Sequence, residues 1–214
     1  MTLTSPSALP GVAPAAGKQK LIEAALRLAA RDGITLSSLG LRELAREAGL
    51  NHNTFYRHFR DSEALGQAAA ESIAAQLMAG LKDVRRRAAR HADATVGAVE
   101  YFLDFVSANP DVFAVGAREL HSLASPMRGV LERVLETIAR ESVDQIAAQN
   151  LVPLQDREVL FEVSLDITRH LFSQALDVID RPQERPRLTA RLVRHIRRQF
   201  LGAIAAAAPR AHSR

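Results

Sequence analysis

From Lys18 onward the apolar residues recur at three- and four-residue intervals with little interruption. Leu21, Ile22, Ala25, Leu26, Leu28 and Ala29 form the stripe of a first helix, which Gly33 stops. A short second helix is predicted over Leu41–Ala48, with Gly40 as its N-cap and Gly49 at its end. Asn51–Phe59 supplies a third helix. Asp61 or Ser62 caps a fourth, in which Leu65, Ala69, Ile73, Leu77 and Leu81 recur every four residues. Arg85, Arg86 and Arg87 close it, with cations near the negative end of the helix dipole.

The same period continues to the end of the chain. Asp93–Ser107 carries Val96, Val99, Leu103 and Val106 on one face and stops at Asn109-Pro110, before a short helix over Asp111–Leu120. Ser125 as N-cap and Pro126 at the first helical position open a helix that turns Met127, Val130, Leu131, Val134, Leu135, Ile138 and Ile146 inward. Gln155–Ile179 is apolar around much of its circumference, as a helix buried on several sides should be. Pro182 and Pro186 break it. Arg187–Ala207 then sets Leu188, Leu192, Ile196, Phe200 and Ile204 on one stripe, with Arg191, Arg194, Arg197 and Arg198 elsewhere. No alternating Val/Ile/Thr segment suggests a strand and no internal repeat is visible, so the predicted fold class is all-α. Residues 1–17 hold three Pro, two Gly and small side chains without periodicity, the pattern of a disordered arm.

Composition narrows the function classes. With 214 residues, 47 % of them hydrophobic and 24 % charged, there is ample material for a core. The absence of Cys excludes disulfides, thiolate zinc sites and thiol nucleophiles. No signal peptide is recognisable, and the longest weakly polar run, Leu201 to Ala208, is far too short to span a bilayer. A soluble, cytoplasmic protein is expected. The seven His residues include no i, i+4 pair, so no metal site is expected. His121 and His170 lie beside charged neighbours and could line a ligand pocket or pack between helices. No GxSxG, P-loop or GxGxxG occurs and the carboxylates form no catalytic pair, so neither catalytic residues nor a cofactor are expected.

The net charge of +4 is unevenly spread, at +2 over residues 1–65, −6 over 66–180 and +8 over 181–214. Its carriers are 25 Arg against 3 Lys, and Arg favours bidentate pairing with carboxylate, phosphate or guanine. The basic last helix has three readings: nucleic-acid binding, contact with an anionic membrane surface, or a solvated Arg face beside a dimer seam. Its apolar stripe favours the third, and an all-helical protein using this helix on anionic lipid is the alternative.

The most informative stretch is Leu39 to Phe59, LGLRELAREAGLNHNTFYRHF. A short amphipathic helix, Ala48-Gly49-Leu50 and a second short helix make a helix-turn-helix. Ala45 is small where the helices cross, Gly49 takes the turn, and Leu44, Leu50 and Phe55 bury the contact. That turns Asn51, His52, Asn53, Thr54, Tyr56, Arg57 and His58 outward, where the second helix can meet base edges in the major groove.

These residues also resemble a known family. Residues 18–65, with LIEAALRLAARDG, LRELAREAGL and NTFYRHFRDSEAL, are similar to the N-terminal domain of the TetR family of bacterial transcriptional regulators. The resemblance implies double-stranded operator DNA as partner and a helix-turn-helix domain over 18–62. It further implies a helical effector-binding and dimerisation domain over 63–207, followed by a tail over 208–214. It places Arg42 at a base edge, His52, Asn53 and Thr54 among base readers, and Tyr56 and His58 on phosphates, with Asn51 and Arg57 contacts of either kind. Tyr56 also has a plain reading as helix packing. Two positions depart from the family pattern: Gly40 replaces the usual Ser or Thr, and Ser62 replaces a phosphate-contacting Lys.

The remainder is similar to regulators of unsaturated fatty acid metabolism that sense long-chain fatty acyl-CoA. That likeness rests on FYRHFRDSEALG, on NPDVF with ARELHSLASPMRGVL, and on LFSQALDVIDRPQERPRLTARLVRHIRRQFLGA. It implies an apolar small-molecule effector, an acyl-CoA, in a pocket between residues 93 and 179. Candidate lining residues are Phe102, Phe105, Phe113, Leu120, His121, Leu131, Leu135, Phe161, Leu165 and Phe172. Arg118, Arg128, Arg133 and Arg169 are candidate cations for an anionic head. The expected assembly is a homodimer through the last two long helices, with Leu171 and Phe200 on the seam.

Overall fold

The computed structural model describes residues 16–91, 94–152 and 156–207, and every regular element among them is helical. In order these are α1 (Ala16–Asp32), α2 (Leu41–Glu47), α3 (His52–His58), α4 (Ser62–His91), α5 (Ala94–Ala108), α6 (Pro110–His121), α7 (Met127–Ala148), α8 (Arg157–Asp180) and α9 (Arg185–Ala207). The all-α expectation holds. Single 3-10 turns at Leu36–Ser38 and Pro182–Glu184 are additions, too short to leave a periodic trace in the sequence.

Local chemistry sets several helix ends away from the positions that the apolar period predicts. The first helix starts at Ala16 rather than Lys18. The fourth runs past the Arg85–Arg87 cluster to His91, because Ala88, Ala89 and Arg90 are good helix formers. Asp61, not Ser62, caps it: the Ala64 N–H donates to Asp61 Oδ1 at 2.8 Å. Ser125 does cap α7, with Oγ accepting the Met127 N–H at 3.0 Å. Residues 1–15 of the expected arm, the tail 208–214, and the expected helix starts at Asp93 and Gln155 lie outside the described residues.

Two main cores organise the chain. The first gathers Leu21, Leu28, Leu44, Phe55 and Phe59 from α1–α3, and it is completed by Leu65 and Ala69 of α4 and Val115 of α6. A division at residue 62 therefore cuts through a shared core. The second joins α4–α9 through Leu77, Leu103, Phe113, Ile167 and Leu192. Phe113 is its hub, with rings of Phe102, Phe105 and Phe172 between 5.8 and 6.3 Å away.

The α8–α9 contact includes a close pair of rings, His170 and His195, with centroids 4.0 Å apart and planes tilted by 31°. Burial, then the His195 and Arg191 charges, hold His170 below the ordinary histidine range. A base with a depressed folded pKa is protonated first in the unfolded chain. Stability is therefore full above about pH 6.5 and falls as pH drops through and below that value. Melting curves from about pH 7.5 to 5 should show this fall in wild type and less of it in His170→Asn; equal falls would assign it to other groups.

Candidate functional site

The turn between α2 and α3 follows from its residues. Gly49 adopts φ 66°, the left-handed region that glycine enters without a Cβ penalty. Its N–H donates to Arg46 O at 3.0 Å and the Leu50 N–H donates to Ala45 O at 2.9 Å, a Schellman closure of α2. Leu44, Ala45 and Phe55, each at most 1 % exposed, lock the two helices together. Asn51 then caps α3, its Oδ1 accepting the Asn53 N–H at 2.9 Å. Gly40 does stand at the N-cap of α2, where it offers no side-chain acceptor.

This frame sets the outward groups. Asn53, Tyr56 and Arg57 are exposed on α3, with His52, Thr54 and His58 half-buried, and Arg42 is exposed on α2. Asn51 accepts one cap bond through Oδ1, which leaves its amide nitrogen and a second lone pair of that oxygen for an outside contact. Tyr56 is 58 % exposed and meets Phe55 and His52 only edge-on, which disfavours the packing reading.

The charges divide in a useful way. Arg27 pairs with Glu47, Arg31 with Asp32 and Glu43, and Arg60 with Asp61. Arg42, Arg46 and Arg57 form no ion pair among the described residues. Arg46 escaped the sequence reading, although its spacing of four from Arg42 puts both on one face of α2. Where the family pattern would set a Lys, Ser62 follows an acid: the Ala64 N–H, then Arg60, hold the Asp61 carboxyl below the usual range.

The second feature is an elongated apolar cavity among α4–α8, with free space of about 1030 Å³ including its solvent-open part. Phe102, Phe113, Leu131, Leu135 and Phe172 line it as expected. The other five candidates lie outside the wall. Phe105 sits behind Phe113, Phe161 lies under the Arg140 guanidinium at 4.6 Å, His121 is exposed, and Leu120 and Leu165 are half-buried elsewhere. Helical period identifies inward residues, but it does not tell which of them border free space. One whole wall was missed: Ile73, Leu77, Leu81 and Arg85 of α4 line the cavity, as does Glu119 of α6.

Glu119 joins the cavity to the helix-turn-helix unit. It is 1 % exposed, accepts the Leu36 N–H at 2.6 Å and also accepts the Ser125 hydroxyl. Its neighbour Arg118 donates through Nη1 to Ala29 O and Ile34 O, both at 3.1 Å. These carbonyls flank Gly33, at φ 65°, where α1 ends. Arg118 is thus a structural tie, and it stands outside the cavity wall in which an effector head would lie. Arg128 pairs with Glu132 at 3.3 Å, and Arg133 and Arg169 are exposed outside the wall.

Residues 21–69, the segment that builds this helix-turn-helix, match the model of the bacterial regulatory proteins, tetR family. Solved structures with similar shape extend the likeness over the rest. A tetR-family transcriptional regulator from Streptomyces coelicolor superposes at TM-score 0.65 with 20 % identity, over 89 % of this chain and 82 % of that one. The fatty acid degradation regulator FadR from Bacillus halodurans gives 0.63 and 18 %, over 89 % and 97 %. The reduced form of NemR from E. coli gives 0.61 and 16 %, over 86 % and 97 %.

Proposed function

We propose, from a chain with a tetR-family N-terminal match and the fold of tetR-family transcriptional regulators, that this protein is a ligand-responsive repressor. It binds a pseudo-palindromic operator in the cytoplasm as a homodimer. The observation that carries the reading is the capped α3, which presents Asn53 and Arg57 to solvent beside the unpaired Arg42 and Arg46 of α2. A helix so exposed fits the major groove, where Arg suits guanine and Asn suits adenine. Residues 18–62 serve as the DNA-binding unit and 63–207 as the effector and dimer unit, coupled through their shared core.

Arg42→Ala and Asn53→Ala should each cost about 1–3 kcal/mol on the cognate operator and relax its sequence preference. Tyr56→Phe and His58→Ala should weaken all sequences to a similar degree, since phosphate contacts position without specifying. Fluorescence anisotropy on operator and scrambled duplexes separates the two classes. Unchanged discrimination in both Arg42→Ala and Asn53→Ala would falsify the base-reading assignment.

The dimer seam belongs on α8 and α9, giving an isologous interface. Within one chain Leu171 lines the cavity and Phe200 packs against the cores, and both are half-buried, which leaves part of each for the seam proposed for them. Leu201, 64 % exposed on α9, is the apolar side chain a partner would cover. The effector is a long-chain acyl compound, the class that includes the acyl-CoA implied by the sequence. Supporting this is a cavity wall made of Leu, Ile, Val, Phe and Met with few polar groups. Its contact with Glu119 and Leu36 gives a filled cavity a route to the helix-turn-helix, provided that the two states bind effector differently.

A further inference from the structure

Among the described residues, Arg85 is the single cation in the cavity wall. Its Nη1 donates to Gln145 Oε1 at 2.6 Å and its Nη2 to Ser142 Oγ at 3.4 Å, both neutral acceptors on α7. A guanidinium has five N–H donors, so these two bonds leave most of its capacity unused. No carboxylate among the described residues pairs with it, and burial alone pushes it down to about 10, which still leaves it charged at neutral pH. Charges withdrawn from water are ordinarily paired, and this half-buried one has no carboxylate partner among the described residues.

A second observation lies at the same place. Arg85 and Ser142 also line an adjoining cavity with Ser164 of α8. Ser164 is 3 % exposed, and its hydroxyl has no hydrogen-bond partner among the described residues. The junction of the two cavities thus offers a guanidinium and a spare hydroxyl with nothing anionic to receive them. At the other extreme of the main cavity lies Glu119, beside Leu36, Gly66 and Met127. At about 1.5 Å of rise per residue, Gly66 and Arg85 are about 28 Å apart along α4. The cavity is therefore polarised along its length, cationic at the Arg85 end and acidic at the end facing the helix-turn-helix.

We propose that Arg85, Ser142 and Ser164 form the seat for the carboxylate of a free long-chain carboxylic acid, whose alkyl chain lies in the apolar cavity toward Glu119. A carboxylate matches the guanidinium fork and accepts the Ser164 hydroxyl with a remaining lone pair. A CoA thioester has no charge at that carbon and would leave Arg85 unpaired, so the site prefers the acid to its thioester. The proposal rests on the reading above that an acyl chain occupies the cavity.

The test uses the full-length protein, with hexadecanoic acid, hexadecan-1-ol and hexadecanoyl-CoA titrated separately by calorimetry. Arg85→Gln should weaken the acid on the order of 100-fold while leaving the alcohol within a few-fold. Arg85→Lys should recover part of the loss. Ser164→Ala, a change too small to threaten folding, should weaken the acid about tenfold and spare the alcohol. Equal binding of acid and alcohol, with neither changed in Arg85→Gln or Ser164→Ala, would overturn the carboxylate seat and leave the acyl-chain reading standing. Tighter binding of the CoA thioester, undiminished in the Arg85 variants, would also overturn the seat. If none of the three binds, the acyl-chain reading itself fails and the seat with it.

Discussion

Glu119→Ala should lower stability by about 3 kcal/mol, a fall in Tm of about 6–12 °C for a chain of this size. The carboxylate is buried and accepts two bonds, from the Leu36 N–H and the Ser125 hydroxyl. Its removal takes the acceptor from the buried Leu36 N–H and from the half-buried Ser125 hydroxyl, and leaving a buried donor unpaired costs more than its bond contributes. The position of these bonds matters as much as their strength. Leu36 lies in the 3-10 turn that follows α1, while Ser125 caps α7, so one side chain holds the helix-turn-helix unit to two cavity helices. A second outcome is therefore expected. In Glu119→Ala, effector binding should persist while its effect on operator affinity shrinks toward none. Differential scanning calorimetry reads the first outcome, and operator titrations at saturating effector read the second. A variant with full coupling would place the connection elsewhere, with the Arg118 bonds to Ala29 O and Ile34 O next in line.

Leu201→Asp should convert the dimer to monomers without unfolding them. Leu201 is 64 % exposed in the single chain, so an aspartate there is solvated and harmless to the fold. In a two-fold assembly through α8 and α9 the same carboxylate is desolvated without a partner, twice per dimer. A penalty of several kcal/mol for each raises the dimer dissociation constant by more than about 100-fold. Operator binding should be lost in parallel, because one helix-turn-helix engages only one half-site. Sedimentation velocity with circular dichroism decides the matter: a helical monomer is expected, and an intact dimer would move the seam off this part of α9.

The difference between Leu201 and its neighbours shows where sequence reading ends. Leu171, Phe200 and Leu201 are all apolar residues on the last two helices, and their pattern assigned the first two to the seam. Within one chain Leu171 borders the cavity and Phe200 lies between cores, each half-buried, while Leu201 is exposed, because the packing of α9 on α5 and α8 decides how much of each side chain is covered. The ligand candidates divide for the same reason. Phe172 and Phe161 are both inward by period, yet only Phe172 borders free space.

What the chain's own chemistry settled is local. Apolar period three to four gave the all-α fold, since each helix's stripe needs only near neighbours to be recognised. The helix-turn-helix was legible because its parts are consecutive: Ala45, Gly49, Leu50 and Phe55 fix the crossing through one turn, and Gly49 is found at positive φ as that turn demands. Tertiary structure alone decided the pairings across the chain. Glu119 reaches Leu36 over 83 residues and Arg85 reaches Gln145 over 60, and no helical period relates such positions. Whether a buried charge is a tie or a binding group depends on which partners packing brings to it. Arg118 holds two backbone carbonyls away from the cavity wall and is a tie, while Arg85 stands in that wall with donors to spare.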